Sequence, residues 1–315
     1  MKVIEHINST KNPNFSYEIL PPQKGASIQA VFDIIEQLKS LNPTWINVTS
    51  HASSLVYQEN MHGQITKKVH KKRPGTIGVC GAIQNKFGID AVAHILCRGF
   101  SKEETENALI ELNYLGIHNI LALSGDTLNY DKTLSKDKSI NHYSNELVRQ
   151  INSMNKGKFL DETEYFPLDL CIGVAGYPEK HVSAPNMDTD IMYLKQKIAA
   201  GADYIITQMF FDNNKYYEFV KKCRETGITV PIIPGIKVLK SAKQIQSLPK
   251  IFNIDLPNEL VNEVNESPDN AVTIGKKWAA KQVHDLLDND VNNIHFFLMN
   301  DVQTVIEIVN NVLIC

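Results

Sequence analysis

The feature that most constrains this 315-residue chain is a repeated alternation of short apolar runs with longer amphipathic segments. The short runs are rich in branched and aromatic residues, as buried strands are, and the longer ones repeat apolar residues at three- and four-residue spacing, as helices do. Eight runs are predicted as strands, each followed by helix, at about 15–20, 45–49, 91–97, 119–123, 168–174, 203–208, 230–233 and 294–298.

Such βα repeats with right-handed crossovers form either an open doubly wound sheet or a closed barrel. Eight repeats favour the barrel, and one (β/α)8 (TIM) barrel with insertions uses a chain of this length as a single unit. We therefore expect an α/β fold with one domain, residues 1–315.

Some segments between these strands are less clear. The first five residues of 76–87 favour a strand, whereas its apolar residues also lie on one helical face, so the residues alone leave both assignments open. Residues 242–264 and 270–287 are predicted as a pair of helices. The dipeptide Pro234-Gly235 is predicted to close the strand that precedes it.

Charge and composition exclude several classes of function. The net charge is −3 and the pI is about 6.4, so no basic face for nucleic acid or an anionic membrane is expected. No apolar stretch has transmembrane length, and the N-terminus lacks the apolar core of a signal peptide. The cysteines are odd in number, scattered and without a C-x-x-C pair, which favours reduced thiols in the cytoplasm.

In a barrel of this kind, functional residues collect at the carboxyl ends of the strands. Taken singly, each polar residue there has a bland explanation as a cap, a turn or a satisfied core group, and Glu18 is equally compatible with an edge strand facing water. Seven strand ends with polar residues on one rim of the barrel are harder to explain in that way, because buried polar groups need hydrogen-bond partners. They are Glu18, Thr49, His94, Asp126, Tyr177 with His181, Gln208, and Phe297 with Asn300.

The chemistry of these residues narrows the possibilities. The histidines lack H-E-x-x-H or H-x-H spacing, so no metal site is predicted. There is no G-x-S-x-G nucleophile motif, and no G-x-G-x-x-G follows the first strand. The remaining carboxylates, amides, hydroxyls and aromatic rings suit a planar, nitrogen-rich ring system, with Glu18 as general acid or base.

Six motifs, in order along nearly the whole chain, resemble the methylenetetrahydrofolate reductases, in particular the bacterial single-domain form. They are FSYEILPP at 15–22, AHILC at 93–97, LALSGD at 121–126, GVAGYPEKH at 173–181, GADYIITQMFFD at 201–212 and PIIPGI at 231–236. Several ordered motifs are more specific than any one of them.

The resemblance implies a (β/α)8 barrel in which residues 76–87 are helical. It implies FAD as cofactor and NADH or NADPH as electron donor, in ping-pong reduction of 5,10-methylenetetrahydrofolate to 5-methyltetrahydrofolate, a step of one-carbon metabolism and methionine biosynthesis. Members of this family are usually homo-oligomers.

The resemblance also implies site residues. Glu18 matches the catalytic acid, and Asp126 matches a catalytic aspartate that lies near the flavin and contacts the pterin. The flavin-binding positions are Thr49, Ala52, His94, Ser124, Gly125, Asp126, Tyr143, Ser144, Tyr177, His181, Ala184, Asp190, Tyr193 and Lys197. The folate-binding positions are Gln208, Gln244, Phe297 and Asp126.

Some positions depart from the family pattern. Arginines common in the family are Ser124, Gln196 and Asp301 here, a common tyrosine is Ser50, and a common asparagine is Tyr193. A lost arginine removes a forked donor that serine or glutamine cannot reproduce. These departures motivate a second hypothesis, a relative that binds flavin or folate without turnover.

Overall fold

The computed structural model describes residues 1–9, 13–125, 139–161, 163–298 and 301–314. The strands are β1 (Asn14–Ile19), β2 (Trp45–Val48), β3 (Ser54–Glu59), β4 (Ile65–His70), β5 (Asp90–Leu96), β6 (Asn119–Leu123), β7 (Cys171–Gly176), β8 (Tyr204–Met209), β9 (Ile232–Ile236) and β10 (Asn293–Phe297). The helices are α1 (Val3–Ser9), α2 (Gln29–Leu38), α3 (Thr76–Phe87), α4 (Lys102–Tyr114), α5 (Ser144–Met154), α6 (Met187–Ala199), α7 (Asn213–Glu225), α8 (Gln244–Phe252), α9 (Asn258–Glu266), α10 (Ala271–Asp288) and α11 (Val302–Ile314).

Eight of these strands, all but β3 and β4, close into a parallel barrel in the order β1-β2-β5-β6-β7-β8-β9-β10. The barrel closes between β1 and β10, where Glu18 pairs with Phe297. The predicted fold class is therefore confirmed, as is the helix over 76–87.

Alternating side chains give each barrel strand an outer and an inner face. Phe15, Tyr17 and Ile19 of β1 belong to the large outer core between the strands and the helices. A separate inner cluster fills the amino-terminal end of the barrel, and its members include Trp45, Val92, Leu121, Cys171, Tyr204 and Ile233.

The short helix α1, which was not predicted, closes that amino-terminal end. Val3 is fully buried in the inner cluster, and its backbone N–H donates to Asn119 Oδ1 at 2.8 Å. His6 Nε2 lies 2.7 Å from Asp90 Oδ2, and its ring packs on Trp45. Charged and polar residues are interspersed with the apolar ones in this segment, so its sequence pattern does not indicate a helix whose apolar side chains pack against the inner cluster.

Three predictions about element boundaries were wrong, two of them around β9 and α8. The predicted helix 242–264 is two helices, because Asn253 adopts a left-handed conformation with φ 54° that ends α8. The strand β9 runs through Pro234 and Gly235 rather than stopping before them. Proline is tolerated there because the register of β8 against β9 shifts between Ile206 and Met209, and Thr207 Oγ1 accepts from Gly235 N at 2.9 Å.

The strand predicted at 168–174 begins only at Cys171. The residues before it are tied to the end of α5 instead, since Leu168 N donates to Met154 O at 3.0 Å. Asn155 Oδ1 likewise accepts from Leu170 N at 3.0 Å.

The antiparallel hairpin β3–β4 follows β2 and was also not predicted. Its two strands pair from Ser54 with His70 to Glu59 with Ile65, and Gly63 in the connection has φ 71°. Most of the hairpin is exposed, which explains why it lacks the apolar character used to find the barrel strands.

Candidate active site

Between the inner apolar cluster and the carboxyl ends of the strands, the barrel interior contains a layer of buried polar side chains. Ser16 Oγ lies 2.8 Å from His295 Nδ1, and Asn47 Nδ2 lies 3.3 Å from His94 Nε2. Burial lowers the pKa of both histidines to about 3, and for His94 the neighbouring His51 lowers it further. Both imidazoles are therefore neutral at physiological pH.

Glu18 lies one layer higher, at the carboxyl end of β1. Its side chain is only 14% exposed, and Oε2 lies 3.6 Å from His94 Nε2. Burial raises the pKa of Glu18 to about 8, although the nearby Lys237 lowers it. The Glu18–His94 contact has the distance of an ion pair, but near neutrality the carboxyl is mostly protonated and the imidazole uncharged, so we interpret it as a contact between neutral groups.

Lys237 directly follows β9 and lies at the same barrel mouth. Its side chain is 3% exposed, and Nζ donates to Phe297 O at 3.2 Å. Nearby, Lys240 Nζ forms an ion pair with Asp301 Oδ2 at 3.1 Å. Asp301 Oδ1 also accepts from Thr304 N at 3.1 Å at the start of α11, so its charge is balanced within the protein.

The predicted flavin-binding residues fall on one half of the barrel. Those that the structure describes lie at or after the carboxyl ends of the consecutive strands β2, β5, β6 and β7, or in α5 and α6 and the residue that caps α5. Thr49, which follows β2, and His94, which lies within the second half of β5, are both buried. Ala52 follows β2, and Ser124 and Gly125 follow β6, where Gly125 has φ 84°.

The end of β7 and the helix α6 form a cationic corner within that half. Lys197 Nζ donates to Ala175 O at 3.0 Å and lies 6.0 Å from the centre of the Tyr177 ring. The ring of Tyr177 packs edge-on against His181 with centroids 4.6 Å apart, and His181 N donates to Asp190 Oδ2 at 2.8 Å.

Burial sets the charge state of this corner. It lowers the pKa of Lys197 to about 8, against the opposing effect of Asp190. It also lowers the pKa of His181, where Asp190 opposes the shift while Lys197 and Arg98 increase it. With a pKa of about 8, Lys197 is mostly protonated near pH 7, so the corner carries one ammonium beside the Asp190 carboxylate.

The predicted flavin-binding residues differ in how far their side chains are buried. Ala184 and Ser144 are buried, whereas the Tyr143 side chain is 69% exposed and that of Tyr193 is 45% exposed. Asp126, predicted as a catalytic and ligand-binding residue, and Asn300 lie outside the described residues.

The predicted folate-binding residues lie on the other half. Gln208 is on β8, and its Oε1 accepts from Met209 N at 2.9 Å. Gln244 begins α8, and its Oε1 accepts from Lys240 N at 2.6 Å. Phe297 ends β10 and packs edge-on against His295, with ring centroids 5.2 Å apart. Glu18 stands where the two halves meet, since β1 pairs with both β2 and β10.

Comparison with known proteins assigns the chain to a family. Residues 2–313 match the family model described as methylenetetrahydrofolate reductase. The chain belongs to the methylenetetrahydrofolate reductase family.

Individual relatives agree with this assignment. The chain is 28% identical over 299 residues to methylenetetrahydrofolate reductase 1 of Schizosaccharomyces pombe, covering 94% of this chain and 45% of that protein. It is 28% identical over 290 residues to 5,10-methylenetetrahydrofolate reductase of Pectobacterium carotovorum subsp. carotovorum, covering 91% of this chain and 86% of that protein. Against several curated eukaryotic reductases, the chain spans about half of their length.

A solved structure supports the fold independently. A Clostridium thermocellum protein that binds two copies of 5-methyl-5,6,7,8-tetrahydrofolic acid superposes with a TM-score of 0.61. The match covers 99% of both chains at 14% identity, so it bears on the fold alone.

The described residues contain neither a candidate metal centre nor a candidate membrane span. Over the described residues, no three His, Cys, Asp or Glu side chains cluster as a set that could hold a metal ion. In the same part of the chain, no helix is both long and apolar enough to cross a bilayer.

Sequence reasoning missed several polar groups in the reductase-family barrel. Ser16, Asn47 and His295 lie inside strands, and only their alternation with outer-core residues would have indicated an inward position. Lys237 could have been found by the strand-end rule, because it directly follows β9. It was missed because the strand was expected to stop before Pro234.

Proposed function

We propose that this chain is a methylenetetrahydrofolate reductase, which uses NADH or NADPH and FAD to reduce 5,10-methylenetetrahydrofolate to 5-methyltetrahydrofolate. The observation that carries the proposal is Glu18, a buried carboxyl with a pKa of about 8 at the junction of the two halves of the barrel mouth. A general acid acts best when its pKa lies near the working pH. The family assignment supports the reaction.

The residues present fit FAD. The Lys197 ammonium, a neighbour of the buried Asp190, suits a pyrophosphate at the cationic corner. The buried Thr49 Oγ1 has no hydrogen-bond partner among the described residues and would gain one from a polar ligand. The left-handed backbone of Gly125 lets the chain turn close to a flat ring. FAD, when bound, supplies the hydride that it has taken from the nicotinamide.

Glu18 would move the proton in the folate half-reaction. The C–N bond of the five-membered ring breaks, the ring nitrogen takes the Glu18 proton, and the one-carbon unit becomes a reactive iminium that accepts a hydride. Glu18 is left as a carboxylate in a site where burial disfavours that charge. His94, which is neutral, contacts it without supplying a positive charge.

The test separates the two half-reactions. Purified protein should show flavin absorbance or take up added FAD, and NADH should bleach it. We expect Glu18→Gln to keep flavin reduction and to lose at least about 100-fold in the rate of reoxidation by methylenetetrahydrofolate, the usual scale of general acid catalysis. Equal loss of both half-reactions would refute the acid role. Failure to bind FAD at all would refute the proposed function.

A second candidate is a relative that binds flavin or folate without turnover. It is favoured by the substitutions at Ser50, Ser124, Gln196 and Asp301. Gln196 Oε1 accepts from Asn145 Nδ2 at 3.3 Å, so this side chain is engaged within the protein. Stopped-flow mixing of the reduced protein with methylenetetrahydrofolate discriminates the candidates, because a binder would not be reoxidised.

We further propose that the protein is a cytoplasmic homo-oligomer with folate as its small-molecule partner. The resemblance in sequence supports the assembly, and scattered cysteines support the compartment. Light scattering coupled to size exclusion tests the oligomeric state.

A further inference from the structure

Lys237 is a buried lysine at the barrel mouth that is not among the site residues implied by the family resemblance. It follows Ile236, which faces the outer core, so alternation directs Lys237 to the inner face. Its Nζ donates to Phe297 O at 3.2 Å, and Phe297 is the register partner of Glu18. The ammonium therefore lies one strand away from Glu18, at the same level of the barrel.

Burying an ammonium is unfavourable unless something compensates its charge. One backbone carbonyl is a modest compensation for Lys237. Asp301, the nearby carboxylate, is already bound by Lys240 at 3.1 Å and by Thr304 N. Of the two described carboxyl groups that act on Lys237, Glu18 is therefore the one that is not already paired with another lysine.

The other groups around Glu18 do not take this role. His94 on β5 and His295 on β10 are both buried and neutral at physiological pH. His51, after β2, acts on His94. Lys240 is committed to Asp301. Asp126 lies outside the described residues.

We propose that Lys237 is a positioning residue whose ammonium stabilises the Glu18 carboxylate left after proton transfer to the folate. The inference rests on the proposed function. Before transfer, Glu18 is neutral. Burial and the neighbouring Lys240 lower the pKa of Lys237 to about 8, against the opposing effects of Glu18 and Asp301, so near pH 7 the lysine still carries its charge. After transfer, the charge on Glu18 is opposite to that of Lys237, and the two stabilise each other in a low-dielectric site. The proton goes to the ring nitrogen, so Lys237 itself neither gains nor loses one.

Charge neutralisation at this position tests the proposal. In Lys237→Met, the pH above which the rate of the folate half-reaction falls should rise by about one unit. This is the lower end of the range by which one nearby opposite charge shifts a pKa. The rate at neutral pH should fall several-fold. Reduction of the flavin by NADH should stay within twofold, which reports that the barrel is intact.

Matched variants separate charge from structure. Lys237→Arg keeps the charge and should keep the limb near its original pH. Lys243→Met removes an exposed lysine from the same connection and should leave the profile unchanged. Lys237→Gln retains a donor for Phe297 O without the charge and should behave like Lys237→Met, which covers the case that the methionine variant misfolds.

A direct titration makes the result independent of turnover. The side-chain carboxyl carbon of Glu18 can be followed by ¹³C NMR in protein labelled at glutamate, with the signal assigned by its loss in Glu18→Gln. The midpoint should rise in Lys237→Met and Lys237→Gln and stay in Lys237→Arg. An unchanged midpoint in both uncharged variants would overturn the inference. Loss of FAD binding and folate reduction in the unmodified protein would instead overturn the proposed function, and the NMR titration would still report on Lys237.

Discussion

Among the side chains at the barrel mouth, Glu18 is surrounded by the groups that decide when it carries a charge. Burial raises its pKa to about 8, and Lys237 lowers it. The sequence alone identified the carboxyl as anomalous in an apolar strand. It did not distinguish a solvent-facing edge from a barrel interior, because that depends on β10 closing against β1.

The pKa of Glu18 predicts a pH-dependent stability. Because the folded state binds this proton more tightly than the unfolded chain does, its contribution to stability falls as pH rises from about 4.5 to about 8. We expect Glu18→Gln to remove this loss and to increase the free energy of unfolding at pH 8 by about 4 kcal/mol relative to its effect at pH 4, because each unit of pKa difference corresponds to about 1.4 kcal/mol. Urea unfolding at both pH values measures the difference.

The exposed Glu259 provides the control for that measurement. Glu259 lies in the first turn of α9, where a carboxylate is worth less than about 1 kcal/mol, so Glu259→Gln should change the difference in stability between the two pH values by no more than that. If Glu18→Gln behaved in the same way, the carboxyl would not be held protonated by the fold.

At the scale of elements, β9 shows how a close backbone approach shapes the site. A Cβ at Gly235 would lie 2.4 Å from Thr207 O and 2.5 Å from Phe297 Cε2. Proline and glycine here act as parts of a strand beside a bulge, whereas sequence rules treat the pair as a terminator. The neighbouring strands therefore decide the role of this dipeptide.

The crowding predicts a specific defect in Gly235→Ala. The new methyl group must displace the β8 backbone or the Phe297 ring, so we expect a loss of about 1–3 kcal/mol in the free energy of unfolding. Weaker folate binding with unchanged FAD binding should accompany it, because Phe297 is on the predicted folate half. Chemical unfolding and separate ligand titrations measure the two effects.

Gly78 supplies a matched control inside helix α3. A Cβ at this position meets nothing within 4 Å, so Gly78→Ala should stabilise the protein by about 0.5–1 kcal/mol. A similar gain for Gly235→Ala would contradict the close approach described above.

At the scale of the whole molecule, the barrel and the β3–β4 hairpin differ in how they are stabilised. The barrel strands are covered by helices outside and filled by side chains inside. In the hairpin, Leu55 is buried, whereas Val56, Tyr57, Ile65 and Val69 are exposed. A two-stranded ribbon of this kind adds little stability on its own.

This difference predicts the order of proteolysis. Limited digestion should cut first in the exposed connection around Met61 to Gly63, and the nicked protein should keep nearly the same unfolding temperature. Mass spectrometry locates the cut, and calorimetry compares the nicked and intact protein. A fall of more than a few degrees would mean that the hairpin supports the barrel.

Sequence by itself determined the βα alternation, the barrel class and the family, because apolar periodicity and ordered motifs are local signals. The helix over 76–87, which the periodicity left open, followed from the ordered motifs of the resemblance and is confirmed. The start of α4 carries a local signal, a capping box in which Ser101 Oγ accepts from Glu104 N at 3.2 Å. The residues assigned to the site through the resemblance stay predictions.

The tertiary structure decided which polar residues share a cavity and what charge they carry. Ser16, Asn47 and His295 look like ordinary strand residues until the barrel closes around them. Lys237 lies close enough to influence the charge of Glu18 only because β9 extends past Pro234 and lies beside β10. Proton affinity depends on desolvation and on charges from distant parts of the chain, and neither exists before the strands are brought together.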